Sequence, residues 1–357
     1  MAVLSEEQVM LRDMAQNWVD NESPVAAFRK LRDSGSALGF DPVVYSEMAA
    51  MGWTGIVIPE VYGGTDFGWA SLGLVLEELG RTLTASPLAS SAAAASAIIL
   101  GGSDEQKSEW LPRIANGEVI ATLAVDEGPR HGKASNETYC SEGKLFGKKL
   151  FVPEGDGAHL FVVLTDDGLF LAEGAADGLK RFSRSVTDSR SHAEIHFDGV
   201  PAAKLECGGP NLVEDVFDRA RLVCAVEMLG MTRQLFDVTL DYLKQRVQFD
   251  QVLASFQALQ HRMAAIFCEI ELARSSIESA MTALDNNEDI RLAATQAKAL
   301  ANDTLHLMSR EAIQLHGGIG MTDEFDVGFY IKRARVLENA FGNSASMRER
   351  FAQLSGF

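Results

Sequence analysis

The C-terminal part of the chain repeats apolar residues with helical spacing over segments much longer than the roughly 11-residue average helix. Long amphipathic helices with short connections have to bury their apolar faces against one another, which is typical of antiparallel bundles. We predict these helices near residues 211–245, 254–285, 290–315 and 324–341, with a short one at 343–354. Residues 210–357 are therefore predicted to form a four-helix bundle.

Two different patterns precede this bundle. Residues 1–117 again have helical apolar spacing, and Ser5 stands where an N-cap would begin the first helix. Residues 118–209 instead contain short β-branched and aromatic runs separated by Gly, Asp and Pro, as in antiparallel sheets. The predicted fold class is α+β, with an N-terminal helical domain, a middle antiparallel β domain and a C-terminal four-helix bundle.

Charge and hydropathy narrow the function classes. Lys and Arg number 32 against 50 Asp and Glu, which gives a formal net charge of -18 and opposes general attraction to nucleic acid or an anionic membrane. The chain does not begin with a basic segment followed by an apolar one, and the apolar run at 86–100 is shorter than the roughly 20 residues that span a bilayer. We therefore expect a cytoplasmic protein that binds neither nucleic acid nor membrane.

The four cysteines lie far apart and without the spacing of metal ligands. We expect free or buried thiols, no disulfide framework and no metal site. The residues concerned are Cys140, Cys207, Cys224 and Cys268.

The connection between the first two bundle helices is a candidate anion site. Arg246 ends one predicted helix, a turn runs through Phe249 and Asp250, and Gln257 opens the next helix. A guanidinium group beside the free amides of a helix N-terminus is suited to a phosphate. The alternative is an ordinary exposed turn between helices.

A second candidate site follows the third bundle helix. Gly317, Gly318 and Gly320 occupy three of four positions, whereas a helix C-cap needs only one glycine. The additional glycines favour close approach of a ligand or another chain, and a tight structural corner is the alternative. His316 is either a ligand contact or an interfacial side chain satisfied by the backbone.

Three segments together resemble the acyl-CoA dehydrogenase family. They occur in the family's order over nearly the whole chain, and the helical, β and helix-bundle layout resembles that family as well. The segments are PEVYGGTDFGWASLGLVLEELGR at 59–81, RVQFDQVLASFQALQHRMA at 246–264 and QLHGGIGMTDEF at 314–325.

The resemblance implies an FAD-dependent enzyme that desaturates an acyl-CoA thioester and passes electrons to electron-transfer flavoprotein. In that family FAD accepts a hydride from the β-carbon while a Glu removes the α-proton. The assembly is a dimer of dimers, in which two segments of each subunit reach the FAD of the neighbouring subunit. The cofactor-binding residues implied here are Arg246, Gln248, Phe249, Gln257, Gln314, Gly317 and Gly318.

Residues 125–136 depart from the family's flavin-ring loop. Asp126 stands where the family usually has Thr, and a carboxylate near the ring would oppose the negative charge of reduced flavin. Residues Pro129-Arg130-His131-Gly132 also replace a run of small residues. The second ring contact reads Phe151-Val152-Pro153, and proline lacks both the hydroxyl and the N–H, each hydrogen bond being worth about 0.5–1.5 kcal/mol. The chain's own flavin-binding site is therefore predicted to have lost groups that normally bind the flavin ring.

The catalytic base is also missing from both positions where the family places it. Phe341 and Ala220 occupy those positions, so the resemblance assigns no catalytic residue. Glu338 lies elsewhere on its helix and is predicted to be a solvated or interfacial acid. Glu227, on an apolar helix face, is either a displaced base or the partner of an interfacial arginine.

Asp218 and Arg221 match a family pattern that lies near the acyl-CoA. They are therefore candidate substrate-binding residues, and a helix-surface ion pair between positions i and i+3 is the alternative.

The leading hypothesis is a partner subunit of a heteromeric α2β2 acyl-CoA dehydrogenase. In such an assembly a homologous subunit brings the base, and this chain completes the FAD site. The alternatives are a self-sufficient homotetramer with a displaced base such as Glu227, and a flavin-free scaffold subunit.

Overall fold

The computed structural model describes residues 4–128, 131 and 137–357. The chain divides into two compact units. The first contains the chain up to Ala26 together with Gly73–Thr84 and Cys224–Phe357, and the second contains Ala27–Leu72 and Ala85–Val223. The predicted domain boundaries near residues 117 and 209 stay a prediction.

The N-terminal third is helical, as predicted. Ser5 caps the first helix through a capping box with Gln8, in which each side chain bonds the other residue's backbone N–H. The apolar run at 86–100 is helical from Leu88 onward and almost entirely buried. The helices are α1 (Glu6–Glu22), α2 (Val25–Ser34), α3 (Pro42–Ala50), α4 (Trp69–Arg81), α5 (Leu88–Gly101) and α6 (Asp104–Ala115), with 3₁₀ turns at Trp53–Gly55 and Glu60–Tyr62.

The middle of the chain forms two four-stranded sheets. Their orders are β1-β4-β5-β8 and β2-β3-β7-β6. Pairing is antiparallel, as predicted, except that β1 runs parallel to β4. The strands are β1 (Ala121–Ala124), β2 (Tyr139–Ser141), β3 (Lys144–Pro153), β4 (Leu160–Thr165), β5 (Gly168–Glu173), β6 (Leu179–Arg184), β7 (His192–Pro201) and β8 (Ala203–Lys204).

The C-terminal helices closely follow the predicted segments. Helix α9 packs against α8, α10 and α11. The elements are α7 (Leu212–Gln245), the short strands β9 (Val247–Gln248) and β10 (Gln251–Val252), α8 (Gln257–Asp285), α9 (Arg291–His316), α10 (Val327–Leu337) and α11 (Ser344–Leu354). None of the helices in the described part of the chain has the length and apolarity needed to cross a membrane.

Helices α4 and α7 approach backbone to backbone, which predicts a large cost for one methyl group. A Cβ added at Gly230 would lie 1.9 Å from the carbonyl oxygen of Glu77. We expect Gly230→Ala to lower the free energy of unfolding by about 1–3 kcal/mol or more, because two helix backbones would have to separate. Urea unfolding measures this change.

Gly328→Ala is the matched control, since a Cβ there meets no atom within 4 Å. Alanine is favoured over glycine in a helix by up to about 1 kcal/mol, so this variant should be as stable as the wild type or more stable. Equal stability of the two variants would contradict the close helix contact.

Candidate functional site

The connection between α7 and α8 is a two-residue β-hairpin at the surface. Strand β9 pairs antiparallel with β10, and the turn residues Phe249 and Asp250 have φ values of 54° and 61°. Positive φ at both central residues gives the turn whose twist matches that of paired strands. The Phe249 side chain is 84% exposed, so the hairpin presents an aromatic ring to the outside.

The predicted anion-binding groups stand beside this hairpin. Arg246 and Gln248 are exposed, and Gln257 is the exposed first residue of α8. No described residue forms an ion pair with Arg246, and no side chain caps the amides at the start of α8. A free guanidinium beside unpaired helix amides can bind an anionic ligand presented from outside the chain.

The glycine segment after α9 is open rather than tightly packed. Gln314, Gly317 and Gly318 are exposed, and a Cβ added at either glycine would meet no atom of the described chain within 4 Å. Gly317 has φ of 66°, which favours glycine, whereas only Gly320 is close to another side chain. Internal packing therefore leaves Gly318 unexplained, and the surface is open to close approach by another molecule.

An aromatic contact joins the two predicted cofactor segments. Tyr242, one turn before Arg246 on α7, stacks on His316 with ring centroids 4.3 Å apart. The Tyr242 hydroxyl also donates to the carbonyl oxygen of His316 at 3.3 Å. The end of α7, with its hairpin, and the glycine segment after α9 therefore lie together in one unit.

His316 is held neutral in this contact. Its Nδ1–H donates to the Ala312 carbonyl oxygen at 2.7 Å, and its Nε2 is buried without a hydrogen-bond partner in the described part of the chain. Burial lowers the pKa of His316 from its usual value, because a charged imidazolium would lose its hydration. Of the two readings of His316, the structure supports the buried side chain bonded to backbone.

This burial predicts acid-sensitive stability. In the unfolded chain His316 has a pKa of about 6.5. As the pH falls, it therefore binds more protons in the unfolded chain than in the folded one. The contribution of His316 to stability is therefore complete above about pH 6.5 and lost progressively below it. We expect the wild type to lose free energy of unfolding relative to His316→Leu by up to about 1.4 kcal/mol per pH unit. Urea unfolding of both proteins at neutral and acidic pH measures it, and parallel pH profiles would contradict it.

In the middle domain, Asp126 of the predicted flavin-ring loop is bonded to other described residues of the chain. Asp126 Oδ1 lies 2.9 Å from His131 Nδ1, and the Asp126 carbonyl accepts a bond from Leu150 N at 2.7 Å. The other substituted positions of this loop, Pro129, Arg130 and Gly132, lie outside the described residues.

A buried ion pair fixes the start of the same loop. Lys149 is fully buried, and its Nζ lies 2.6 Å from Glu127 Oε1 and 3.0 Å from the Val125 carbonyl oxygen. The Glu127 carboxylate also accepts from the backbone of Thr138. These bonds lower the pKa of Glu127 to about 2, so a carboxylate persists here at all ordinary pH values.

The second predicted ring contact, Phe151 to Pro153, lies at a break in the register of β3. Phe151 has φ of 52°, Val152 is buried, and the Pro153 carbonyl accepts the hydroxyl of Thr122 at 2.8 Å. With Asp126 carrying a carboxylate and Pro153 carrying no N–H, these residues do not fit a flavin ring that becomes anionic on reduction. Flavin binding is disfavoured here by the type of groups present, a carboxylate and a proline rather than hydrogen-bond donors.

Neither position of the expected base carries a group that can take a proton. Ala220 is buried on α7, and Phe341 lies in the turn after α10 with φ of 54°. A bulky residue in the left-handed region is uncommon, so the surrounding bonds must hold this turn.

Two polar side chains of α9 hold that turn, and the sequence analysis did not find them. Lys298 Nζ donates to Asn302 Oδ1 at 2.6 Å and to the Leu337 carbonyl at 2.9 Å, and Asn302 Nδ2 donates to the Gly342 carbonyl at 3.3 Å. Both side chains are fully buried. The sequence signal that could have indicated this contact is a Lys and an Asn four residues apart on an apolar helix face.

Glu338 is more enclosed than the predicted solvated acid. Its side chain is largely buried, 2.9 Å from Arg335 Nη2 and 3.4 Å from His306 Nδ1. Burial raises the pKa of Glu338 and the neighbouring cations oppose that rise. Of the two predicted readings, the structure supports the interfacial acid rather than the solvated one, because the end of α10 packs against α9.

Glu227 forms a bidentate ion pair with Arg333. The oxygens lie 2.8 and 2.9 Å from Arg333 Nε and Nη2, and both side chains are nearly buried. A carboxylate held by both oxygens is stabilised in its charged form and fixed in orientation by the guanidinium. The geometry supports the arginine-partner reading rather than the displaced base.

Asp218 and Arg221 are both buried and bonded to each other. Arg221 Nη1 lies 2.7 Å from Asp218 Oδ1 and 3.1 Å from Glu214 Oε2. The alternative prediction was an ion pair on the helix surface. It is wrong about the position of the pair, because both side chains are buried. A contact of this pair with substrate stays a prediction.

Known proteins with similar sequences and structures agree with this architecture. Residues 5–118 match the acyl-CoA dehydrogenase N-terminal domain and residues 208–355 match the acyl-CoA dehydrogenase C-terminal domain. The acyl-CoA dehydrogenase IpdE2 of Mycolicibacterium smegmatis is 29% identical over 333 residues, covering 93% of each chain. The (2S)-methylsuccinyl-CoA dehydrogenase of Cereibacter sphaeroides is 29% identical over 381 residues, covering 97% of this chain and 68% of that one.

Among solved structures, the Tcur3481-Tcur3483 steroid ACAD, in its G363A variant, superposes with a TM-score of 0.90. It is 28% identical and the match covers 98% of both chains. The match to both family domains and the similarity along nearly the full length assign the chain to one family. The chain belongs to the acyl-CoA dehydrogenase family, whose members are oxidoreductases that act on acyl-CoA with FAD as cofactor.

Proposed function

We propose that this chain is the partner subunit of a heteromeric acyl-CoA dehydrogenase that desaturates an acyl-CoA thioester between its α and β carbons. The observation that carries the proposal is an asymmetry. The groups predicted to serve a neighbour's cofactor, around Arg246 and Gly317, are exposed; among the described residues Arg246 has no ion-pair partner, and a Cβ at Gly317 would meet no atom within 4 Å. The groups predicted to hold this chain's own flavin ring, around Asp126 and Pro153, are bonded within the chain.

In this proposal FAD supplies the acceptor for the hydride of the β-carbon, and a homologous catalytic subunit supplies the base. The Arg246 guanidinium, with Gln248 and Phe249, would meet the pyrophosphate or adenosine side of FAD, beside Gln257 at the start of α8. Gln314, Gly317 and Gly318 would approach the adenine end. Lys298 and Asn302 keep Phe341 in place, so the turn that normally presents the base presents an aromatic ring.

Two further elements of the proposal concern substrate and electron acceptor. Asp218 and Arg221 form a rigid buried pair that orients groups lining the acyl-CoA site. Electron-transfer flavoprotein reoxidises the reduced assembly, as the family resemblance implies. The similarity to a steroid ACAD that carries two protein names, Tcur3481 and Tcur3483, supports a large acyl group and a two-protein assembly.

Flavin occupancy tests the proposal. The chain is purified alone and after co-expression with a homologous catalytic subunit, and the flavin absorbance per protein is compared. We expect little FAD with the lone chain and stoichiometric FAD with the pair. Full occupancy of the lone chain would contradict the proposal, and a pair without flavin would favour the scaffold alternative.

The homotetramer alternative makes a different prediction for Glu227. Because Glu227→Gln removes one charge of a nearly buried ion pair that is bonded through both carboxylate oxygens, we expect it to lower the free energy of unfolding by about 3–5 kcal/mol. The double variant Glu227→Gln with Arg333→Met should recover most of this loss. Exchange of the substrate α-proton, measured in the assembled pair, should persist in the double variant. Abolished exchange with unchanged stability would instead identify Glu227 as the base.

A further inference from the structure

Four basic side chains lie on two helices that pack against each other, α9 and α10. His306 and Arg310 stand one turn apart on α9, and Lys332 and Arg335 stand one turn apart on α10. All four are exposed or partly exposed. Residues three or four positions apart are neighbours on a helix surface, so each helix carries its two basic side chains on one face.

One imidazole ring lies between two guanidinium groups. Arg310 Nη1 lies 2.9 Å from His306 Nε2, and Arg335 Nη1 lies 2.7 Å from His306 Nδ1. A guanidinium group only donates hydrogen bonds, and a neutral imidazole accepts at one nitrogen and donates at the other. One of the two contacts therefore places an N–H group against an N–H group, and the cluster is short of an acceptor.

The rest of the Arg335 guanidinium does not remove this shortage. Its Nε is buried and has no hydrogen-bond partner among the described residues, and its Nη2 reaches the Ser309 hydroxyl oxygen only at 3.4 Å. The Ser309 hydroxyl itself donates to the His306 carbonyl oxygen at 3.2 Å. Buried donors without a partner are uncommon in proteins and indicate a missing acceptor.

One carboxylate offsets part of the positive charge of this cluster. Glu338 Oε1 lies 2.9 Å from Arg335 Nη2, and Glu338 Oε2 lies 3.4 Å from His306 Nδ1. Arg310 and Lys332 form no ion pair with any residue that the structure describes. With the imidazole left aside, three cations stand against one carboxylate.

The other acids on the neighbouring turns of α9 are paired with arginines of other helices. Asp303 is paired with Arg348 on α11, and Glu311 is paired with Arg262 on α8. Water could accept the missing hydrogen bonds, but it would not offset the charge. The surface between α9 and α10 is therefore locally positive, on a chain of net charge -18.

We propose that this cluster binds a tetrahedral oxyanion of the phosphate class, held between Arg310 and Arg335 on the exposed side of His306. Both guanidinium groups contact the same five-membered ring, so one phosphate group can reach both. Guanidinium groups bond phosphate oxygens in pairs, and the oxyanion brings the acceptors and the negative charge that the cluster lacks. Lys332 adds a positive charge one turn along α10. The proposal is independent of the FAD site predicted around Arg246.

NMR of the histidine rings tests the proposal in the full-length chain. Histidine is labelled with a heavy nitrogen isotope, the ring signals of His306 are assigned with the variant His306→Gln, and sodium phosphate is added at neutral pH and constant ionic strength. We expect the His306 signals to shift saturably, because Arg310 and Arg335 then donate to phosphate oxygens as well. Sodium acetate should bind more weakly, since a planar carboxylate has fewer oxygens to share between two guanidinium groups.

Substitution of Arg310 should remove the binding. Because one charge-assisted bond is lost, Arg310→Gln should weaken phosphate binding by at least about tenfold. The affinity of Arg310→Lys should lie between those of the wild type and Arg310→Gln, because an ammonium group keeps the charge but not the paired donors. Two controls should leave the dissociation constant at this site unchanged: Arg12→Gln, an equal change of charge on α1, and Arg246→Ala, at the separate site.

AMP distinguishes the two sources of a phosphate group. Tighter binding of AMP than of inorganic phosphate would identify a nucleotide phosphomonoester as the ligand, and equal or weaker binding would identify free phosphate. Three results would overturn the proposal. They are His306 signals that do not respond to phosphate, an equal response to acetate, and unchanged phosphate affinity in Arg310→Gln.

Discussion

The isolated chain is expected to oxidise acyl-CoA more slowly than the assembled pair by at least about 10²–10⁴-fold, the usual contribution of a positioned general base. The reason is that Ala220 and Phe341 occupy the two positions predicted for the base, and neither side chain can take a proton. Reduction of an artificial electron acceptor, followed with a panel of acyl-CoA thioesters, measures the rate of each preparation.

Phe341→Glu in the isolated chain tests whether inactivity comes from the missing base alone or also from a missing flavin-binding site. Because the groups around Asp126 and Pro153 do not fit the flavin ring, restoring the carboxylate alone should leave the isolated chain inactive. The turn itself should tolerate the change, since Lys298 and Asn302 bond its backbone rather than its side chain. Substantial activity of the isolated wild type or of this variant would contradict the account.

The second large effect is expected in the assembled pair when Arg246 is changed. Loss of a charge-assisted bond to pyrophosphate costs about 1.5–3 kcal/mol, so Arg246→Ala should weaken FAD binding about 10- to 150-fold. The FAD affinity of Arg246→Lys should lie between those of the wild type and Arg246→Ala, because an ammonium group keeps the charge but not the planar geometry of the guanidinium group. Fluorescence titration of the apo-assembly with FAD measures the dissociation constants.

Arg12→Ala is the control for this series. Arg12 is an exposed arginine on α1, paired with Asp13 and outside the hairpin and glycine segments. It should leave FAD affinity unchanged. If Arg246→Ala also left the affinity unchanged while the assembly stayed intact, the hairpin would not belong to the FAD site.

Periodic sequence signals predicted most of the fold. The long helices α7, α8 and α9 follow apolar stripes whose spacing is set by the helix itself, and their bounds agree closely with the predictions. Strand β6 gives no such signal, because LKRFSR has no alternation of apolar and polar residues. Its strand state comes from pairing with β7, which no local pattern records.

The candidate site was predicted where a short motif specifies backbone shape, as in the hairpin at Phe249 and the glycines after His316. It was not predicted where distant residues meet. The Glu227 ion pair needs Arg333, more than a hundred residues away, and the enclosure of Glu338 depends on the packing of α10 against α9. Such contacts depend on tertiary packing rather than on local sequence.

The central claim is that this chain completes a cofactor site without holding a flavin of its own. Native mass spectrometry of the intact assembly counts the bound FAD directly. The account predicts one FAD for each pair of subunits, retained when this chain carries a further substitution at Asp126 and bound at lower occupancy when Arg246 is replaced by alanine. One FAD for every subunit would contradict it.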